Sequence, residues 1–170
     1  MSLDRMWAGW RSTYIDEVAN AEPSAVECVF CALAAAADDV GQVLARGVLT
    51  FAMLNLYPYT SGHLMVAPLR HVGDLEALTT DEAGELMDLT RRATVAVKAA
   101  YEPDGVNVGM NLGRAAGAGV PGHLHVHVLP RWVGDTNFMT SVAEARVLPE
   151  PLTRTFERLE GSWPADPAGP

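Results

Sequence analysis

Short apolar-rich runs punctuated by glycine and proline recur along the chain, and they predict strands more often than helices. Gln42 to Arg46 and Leu49 to Leu54 form two such runs, joined at Gly47 as a hairpin. Asn55-Leu56-Tyr57-Pro58-Tyr59-Thr60-Ser61-Gly62 reads as a loop, because Pro58 and Gly62 interrupt any ladder. A third strand follows over His63 to Ala67 and stops at Pro68, and a fourth covers Val106 to Asn111. The fifth, His123 to Arg131, alternates strictly: His123, His125 and His127 fall on one face and Leu124, Val126 and Val128 on the other.

Helical periodicity is confined to three places. Thr79-Thr80-Asp81-Glu82 has the capping-box spacing that starts a long helix. Its buried stripe is Leu86, Leu89, Ala93, Ala96 and Ala100, and Pro103-Asp104-Gly105 ends it. A short helix runs from Cys28 through Ala37, closed by Asp38-Asp39 and Gly41, and another covers Leu152 to Leu159. Between the fourth and fifth strands lies a glycine-rich loop, Gly113 to Gly122, and Gly134 to Phe138 is a turn. The pattern predicts an α+β domain with an antiparallel sheet of about five strands, one long helix and a short N-terminal helix. Its expected bounds are a core over about 28–142, an aromatic N-terminal arm over 1–20, and a C-terminal helix and frayed tail over 148–170.

With 170 residues, 49% of them hydrophobic, the chain suits a single domain with a real core. No run of about 18 apolar residues exists, so no membrane partner is expected, and the start lacks an apolar signal core, so a cytoplasmic protein is expected. The formal net charge is −9 and Lys98 is the lone lysine, which removes the basic footprint that nucleic-acid binding needs. Any anionic ligand must be gripped locally, by backbone N–H groups, His and a few Arg, which favours a small phosphate compound.

The two cysteines, Cys28-Val29-Phe30-Cys31, read as half of a metal site; its completion must come from the five histidines or from carboxylates. Three imidazoles spaced about 6.8 Å apart, at roughly 3.4 Å of rise per residue, are costly on an apolar strand without partners or a task. A neutral imidazole is a good nucleophile toward phosphorus, a second can donate a proton to the leaving oxygen, and glycine-loop amides can grip phosphate oxygens. The assembly suits nucleotidyl transfer through a covalent histidine.

His123-Leu124-His125-Val126-His127-Val128-Leu129 matches the alternating signature of the histidine triad (HIT) superfamily. Cys28 to Cys31, Asn55 to Tyr59, Gly62 to Val66, the strand ending at Asn111 and Pro130-Arg131-Trp132 also resemble that family in order and spacing, most of all its bacterial diadenosine tetraphosphate phosphorylase branch. The resemblance implies a HIT-like fold with the sheet continued across a homodimer. It implies cleavage of dinucleoside polyphosphates, by phosphorolysis with inorganic phosphate as acceptor or by hydrolysis, through a nucleotidyl-histidine intermediate. His125 is then the nucleophile, His127 assists the leaving group and His63 lies beside them. Val29, Phe30 and Leu33 form the wall against the base, Asn55 and Leu56 meet the ribose, and Asn111 with the amides of Ala118 and Gly119 meets phosphate. In zinc-bearing members the matching positions are Cys28, Cys31, His71 and His123, a structural zinc site; a divalent cation accompanying the nucleotide is compatible with the same reading. One departure stands out: Gly119-Val120-Pro121 replaces the Gln-Ser or Gln-Thr whose hydroxyl touches phosphate in many members. The alternatives are a nucleoside phosphoramidase or purine nucleotide hydrolase of the same family, a catalytic metal on the histidine face, and a nucleotide-binding module without turnover. Tyr57 and Tyr59 read as packing residues, and Arg114 and Arg131 as candidate phosphate contacts.

Overall fold

The computed structural model describes residues 28–36, 42–135 and 150–165. The aromatic arm, the residues expected to close the first helix, the far half of the turn at Gly134 and the last five residues lie outside them. The described elements are α1 (Val29–Ala35), β1 (Val43–Arg46), β2 (Thr50–Leu54), β3 (Leu64–Pro68), α2 (Thr80–Tyr101), β4 (Gly105–Met110), β5 (Val126–Arg131) and α3 (Leu152–Gly161). The five strands form one antiparallel sheet in the order β1-β2-β3-β5-β4, giving the expected α+β architecture. Among the described residues no helix is long and apolar enough to cross a membrane.

Both faces of the central strands are covered, and alternation decides which side chain goes where. Ala52, Leu54, Leu64, Val66, Val126 and Val128 pack beneath α2, against Leu86, Leu89, Ala93, Ala96 and Val97, with Leu159 of α3 closing the layer. The intervening residues Phe51, Met53, Met65 and Ala67 face the other way, onto Phe30 and Leu33 of α1. Small residues at Ala93 and Ala96, both fully buried, let α2 approach the sheet closely. The expected stripe on α2 is present, widened by Thr90 and Val97.

Polar clamps hold the connections. Glu85 on α2 accepts from the N–H of Leu49 and Thr50 and from the Thr50 hydroxyl, pinning the β1–β2 turn. Arg46 on β1 donates to the carbonyls of Leu33, Ala34 and Ala36, capping the C-terminal end of α1 and tying it to the sheet. The capping box at Thr79 and Glu82 forms with both bonds in place. The Glu82 carboxylate also takes a two-pronged bond from Arg70, which anchors the segment carrying His71 to α2.

Two expectations change. The histidine strand does not begin at His123: β5 starts at Val126, where its pairing with Val66 on β3 begins. One turn earlier the neighbouring strand ends in Pro68, which has no N–H to offer a ladder, and the Leu124 N–H donates instead to the Val72 carbonyl. The tail, in turn, is not frayed at Trp163. Its ring packs against the α2 layer beneath the Arg92 guanidinium, which also donates to the Pro164 carbonyl.

The Arg70 and Thr79 bonds hold the Glu82 carboxyl at about 2, against an ordinary value of 4.5. A depressed carboxyl contributes stability that is present above its unfolded value and is lost as pH falls toward its folded one. Glu82→Gln is therefore expected to lower Tm at pH 7, with the gap to wild type closing between pH 4.5 and about 2 in thermal melts followed by circular dichroism. A gap of constant size over that range would remove the ion pair as its cause.

Candidate active site and metal centre

The histidines gather on the α1 face of the sheet, where β3 and β5 run side by side. Met65 pairs with His127, so the residue two positions earlier, His63, lies on the same face as His127. His63 follows Gly62, whose φ of +79° turns the chain into β3. A side chain at Gly62 would also collide with the Tyr101 ring and Pro130. His63, His123, His125 and His127 are all buried. The His63 and His127 rings lie 5.1 Å apart and those of His125 and His127 4.9 Å apart, closer than an ideal straight strand would place neighbours.

Hydrogen bonds assign the proton on each ring. His125 Nδ1 lies 2.8 Å from the His123 carbonyl, which can only accept, so Nδ1 carries the hydrogen and Nε2 keeps its lone pair. His63 Nδ1 accepts from the Tyr59 N–H at 3.1 Å, with the Asn55 amide nitrogen 3.2 Å away. His63 Nε2 therefore carries the hydrogen and donates to His127 Nδ1 at 2.9 Å. His127 is left with an Nε2–H. Two neighbouring imidazoles thus differ in role: His125 offers a bare nitrogen and His127 a donor.

Burial lowers the pKa of His125, opposed by its bond to the His123 carbonyl. Burial, with His125 alongside, lowers that of His127 to about 4. Both rings are neutral at pH 7, so the Nε2 lone pair of His125 is available without loss of a proton.

The second cluster lies at the same end of the sheet. Cys28, Cys31, His71 and His123 bring one ligand atom each to within 4.8 Å of one another. His123 Nδ1 is 3.3 Å from Cys28 Sγ and 3.6 Å from Cys31 Sγ, and His71 Nδ1 is 3.3 Å from Cys31 Sγ. A tetrahedral site with about 2.3 Å metal–sulfur and about 2.0 Å metal–nitrogen bonds spaces its sulfur and nitrogen atoms by roughly 3.6 Å, so these donors fit one ion. The His123 Nε2–H donates to the Pro68 carbonyl at 2.8 Å, which leaves Nδ1 to point at the thiols. Four donors close the coordination shell and leave no position for a substrate, the composition of a structural centre. The His71 loop closes tightly on the end of the glycine loop: a side chain at Gly73 would meet the Pro121 carbonyl at 2.8 Å.

The remaining candidates divide. Phe30 packs at 4.8 Å from the His125 ring and 5.3 Å from that of His123, so it supports both rings. Leu33 is buried in the core with Phe51 and Met53 rather than lining an open wall, whereas Val29 and Leu56 are exposed. Asn55 is buried, with its oxygen accepting the Tyr57 N–H and its amide on His63. Asn111 closes the glycine loop on the Gly117 carbonyl, and the Ala118 N–H is already given to Gly113. The Gly119 N–H makes no such bond among the described residues. Arg131 is held by Asp135 and Asn107 near the far end of β5, and Arg114 sits exposed in a 3-10 turn. Sequence reasoning missed the backbone partners, Tyr59 N–H and the Pro68 carbonyl. No residue type marks such groups.

With this geometry in place, comparison with known proteins is informative. The sequence matches the HIT domain family over residues 38–133. It is 43% identical to the AP-4-A phosphorylase of Mycobacterium tuberculosis, over 97% of this chain and 87% of that protein. It is 36% identical to the asymmetrical bis(5′-nucleosyl)-tetraphosphatase of Schizosaccharomyces pombe, over 55% of this chain and 51% of that protein. The crystal structure of a Zn-bound histidine triad family protein from Mycobacterium smegmatis superposes with a TM-score of 0.65 at 25% identity, covering 80% of this chain and 92% of that one. The chain belongs to the HIT domain family.

The donor set carries a direct test. Native mass spectrometry is expected to find one transition-metal ion per folded chain, and Cys31→Ser to lose it. Losing a bound ion worth about 3 kcal/mol lowers Tm by roughly 6–12 °C in a chain of this size. A Cys31→Ser protein that keeps both its metal and its Tm would show that the four residues do not form one centre.

Proposed function

We propose that this HIT-domain chain cleaves diadenosine tetraphosphate by phosphorolysis to ADP and ATP, and that the ion at Cys28, Cys31, His71 and His123 is zinc. The observation that carries the reading is the bare Nε2 of His125 beside the Nε2–H of His127. The phosphorylase relative from Mycobacterium tuberculosis supports the substrate, and the Zn-bound neighbour supports the metal.

His125 Nε2 attacks the α-phosphorus, the bond to the bridging oxygen breaks, and ATP leaves with the electron pair. The His127 Nε2–H meets that oxygen as its charge grows. Inorganic phosphate then attacks the adenylyl group, the phosphorus–nitrogen bond breaks and ADP departs; water in its place gives AMP. Asn55 and Leu56 sit at the ribose, Val29 and Phe30 at the base, and Asn111 and Gly119 at phosphate. The Gly119-Val120-Pro121 segment brings no hydroxyl to that contact. When bound, zinc supplies structure rather than Lewis-acid chemistry, because its donor set is closed.

The homodimer belongs to the same proposal. Among the described residues β4 is an edge strand with β5 on one side alone, and Val108, 49% exposed, stands between Val106 and Met110, which pack on the core. An exposed apolar edge of this kind is covered when a second copy extends the sheet.

Incubation with diadenosine tetraphosphate, with and without inorganic phosphate, tests the reaction. ADP plus ATP appearing with phosphate alone is the expected result; AMP plus ATP without phosphate would make water the acceptor. His125→Ala is expected to cut kcat by at least about 10⁴-fold. Turnover that survives His125→Ala, or a folded zinc-loaded protein with no turnover, defeats the reading. In light scattering, wild type is expected as a dimer and Val108→Lys shifted toward monomer; a monomeric wild type removes the β4 interface.

A further inference from the structure

Tyr59 is the loop residue that neither the metal centre nor the nucleotide contacts account for. Its side chain is 43% exposed, so burial in a core does not explain its place. Its ring instead lies 4.7 Å from the His63 ring and 5.9 Å from the His127 ring, tilted only 27° from the latter. Its main-chain N–H is the donor that His63 Nδ1 accepts.

We infer that Tyr59 is a positioning residue for the leaving-group side of the reaction: its N–H fixes the tautomer of His63, and its ring lies nearly parallel against His127, so that His127 presents Nε2–H to the departing atom. The inference rests on the nucleotidyl-histidine reading. If His63 carried its hydrogen on Nδ1, two N–H groups would face each other across 3.1 Å. With that tautomer excluded, the Nε2–H of His63 fills His127 Nδ1 and the hydrogen of His127 is forced to the far side of its ring. The imidazole χ2 torsion is broad, and one described hydrogen bond, at Nδ1, holds the His127 ring. The Tyr59 ring, 5.9 Å away and only 27° from parallel, restricts its rocking. His125 takes its orientation from the His123 carbonyl and from Phe30, independently of Tyr59. Damage at Tyr59 should therefore fall on departure of the leaving group rather than on attack.

The test uses the full-length zinc-loaded chain and two substrates that share an adenylyl half. Adenosine 5′-(p-nitrophenyl phosphate) expels a weakly basic oxygen that needs little help, and adenosine 5′-phosphoramidate expels an amine that must gain a proton. Tyr59→Ala keeps the N–H and loses the ring. It is expected to lower kcat on the phosphoramidate by about tenfold or more and on the nitrophenyl ester by less than about threefold, with both KM values little changed. Tyr59→Phe is expected to restore both rates to within about twofold. Equal losses on the two substrates, as a general structural defect would give, overturn the inference.

Long-range ¹H–¹⁵N spectra of the imidazoles supply a reading that needs no turnover. Wild type is expected to show His63 and His127 each as the single Nε2–H tautomer. Tyr59→Pro, which deletes the N–H, is expected to mix them, and a Tyr59→Pro protein with unchanged tautomers overturns the inference. Should Tyr59→Pro fail to fold, the Tyr59→Ala substrate comparison decides alone. A wild type that turns over neither adenylyl substrate refutes the nucleotidyl reading, and the tautomer spectra then judge the placement of Tyr59 by themselves.

Discussion

Three groups of His123, its two ring nitrogens and its carbonyl, are committed to three different parts of the molecule. Nδ1 faces the thiols of Cys28 and Cys31, Nε2–H is given to the Pro68 carbonyl at the end of β3, and the main-chain carbonyl takes the Nδ1–H of His125. The first commitment joins α1 to the sheet and the second fixes the ring's tautomer. The third sets the tautomer of His125, two residues away. Nothing else in the described structure links the cysteine helix, the end of the central strand and His125 so directly. An ion at the four-donor cluster would stiffen all three at once, because a ring clamped at both nitrogens holds its own backbone in place.

The sheet makes this affordable by dividing its faces. On the α2 side the covered residues are apolar almost without exception, and α2 and α3 shield them. The cost of burying four imidazoles is concentrated on the opposite face, where every ring nitrogen except Nε2 of His125 and Nε2 of His127 finds a partner or a thiol among the described residues. Arg46 and Arg70 extend the division. Each reaches away from the site to secure a segment that bears candidate metal ligands, one by capping α1 and the other by gripping Glu82.

Much of this was legible in the sequence, for a physical reason. A period of two is rigid, so the residues between Leu64 and Ala67 and between Val126 and Val128 could be sorted to faces from the pattern alone, and the Thr79–Glu82 box announced its helix. The pairing of Cys28 and Cys31 with His71 and His123 followed from family likeness and the limited supply of histidines. What resisted was anything decided by the backbone. His123 to His125 alternate like a strand yet lie outside the ladder, because Pro68 ends the neighbour that would have paired with them. Arg131 looked suited to phosphate, but Asp135, four residues on, closes on it. Asn55 offers a polar amide suited to a ribose, and the structure commits much of it to Tyr57 and His63.

The same logic explains how one residue type serves two chemical purposes within three positions. His125 and His127 share a strand face, similar burial and a downward shift in pKa, so neither solvent nor charge distinguishes them. They differ at Nδ1. The nitrogen of His125 meets a carbonyl and must donate; that of His127 meets an N–H and must accept. Because an imidazole that is neutral holds one hydrogen, each choice at Nδ1 dictates the opposite state at Nε2, on the side away from the protein's own bonds. A bare nitrogen and an N–H donor are thereby specified side by side without any carboxylate, and the specification is written in main-chain groups: the carbonyl of His123 and the N–H of Tyr59. The backbone course at those two positions must therefore be kept, which is why the loop from Asn55 to Gly62 belongs to the site as fully as the histidines it serves.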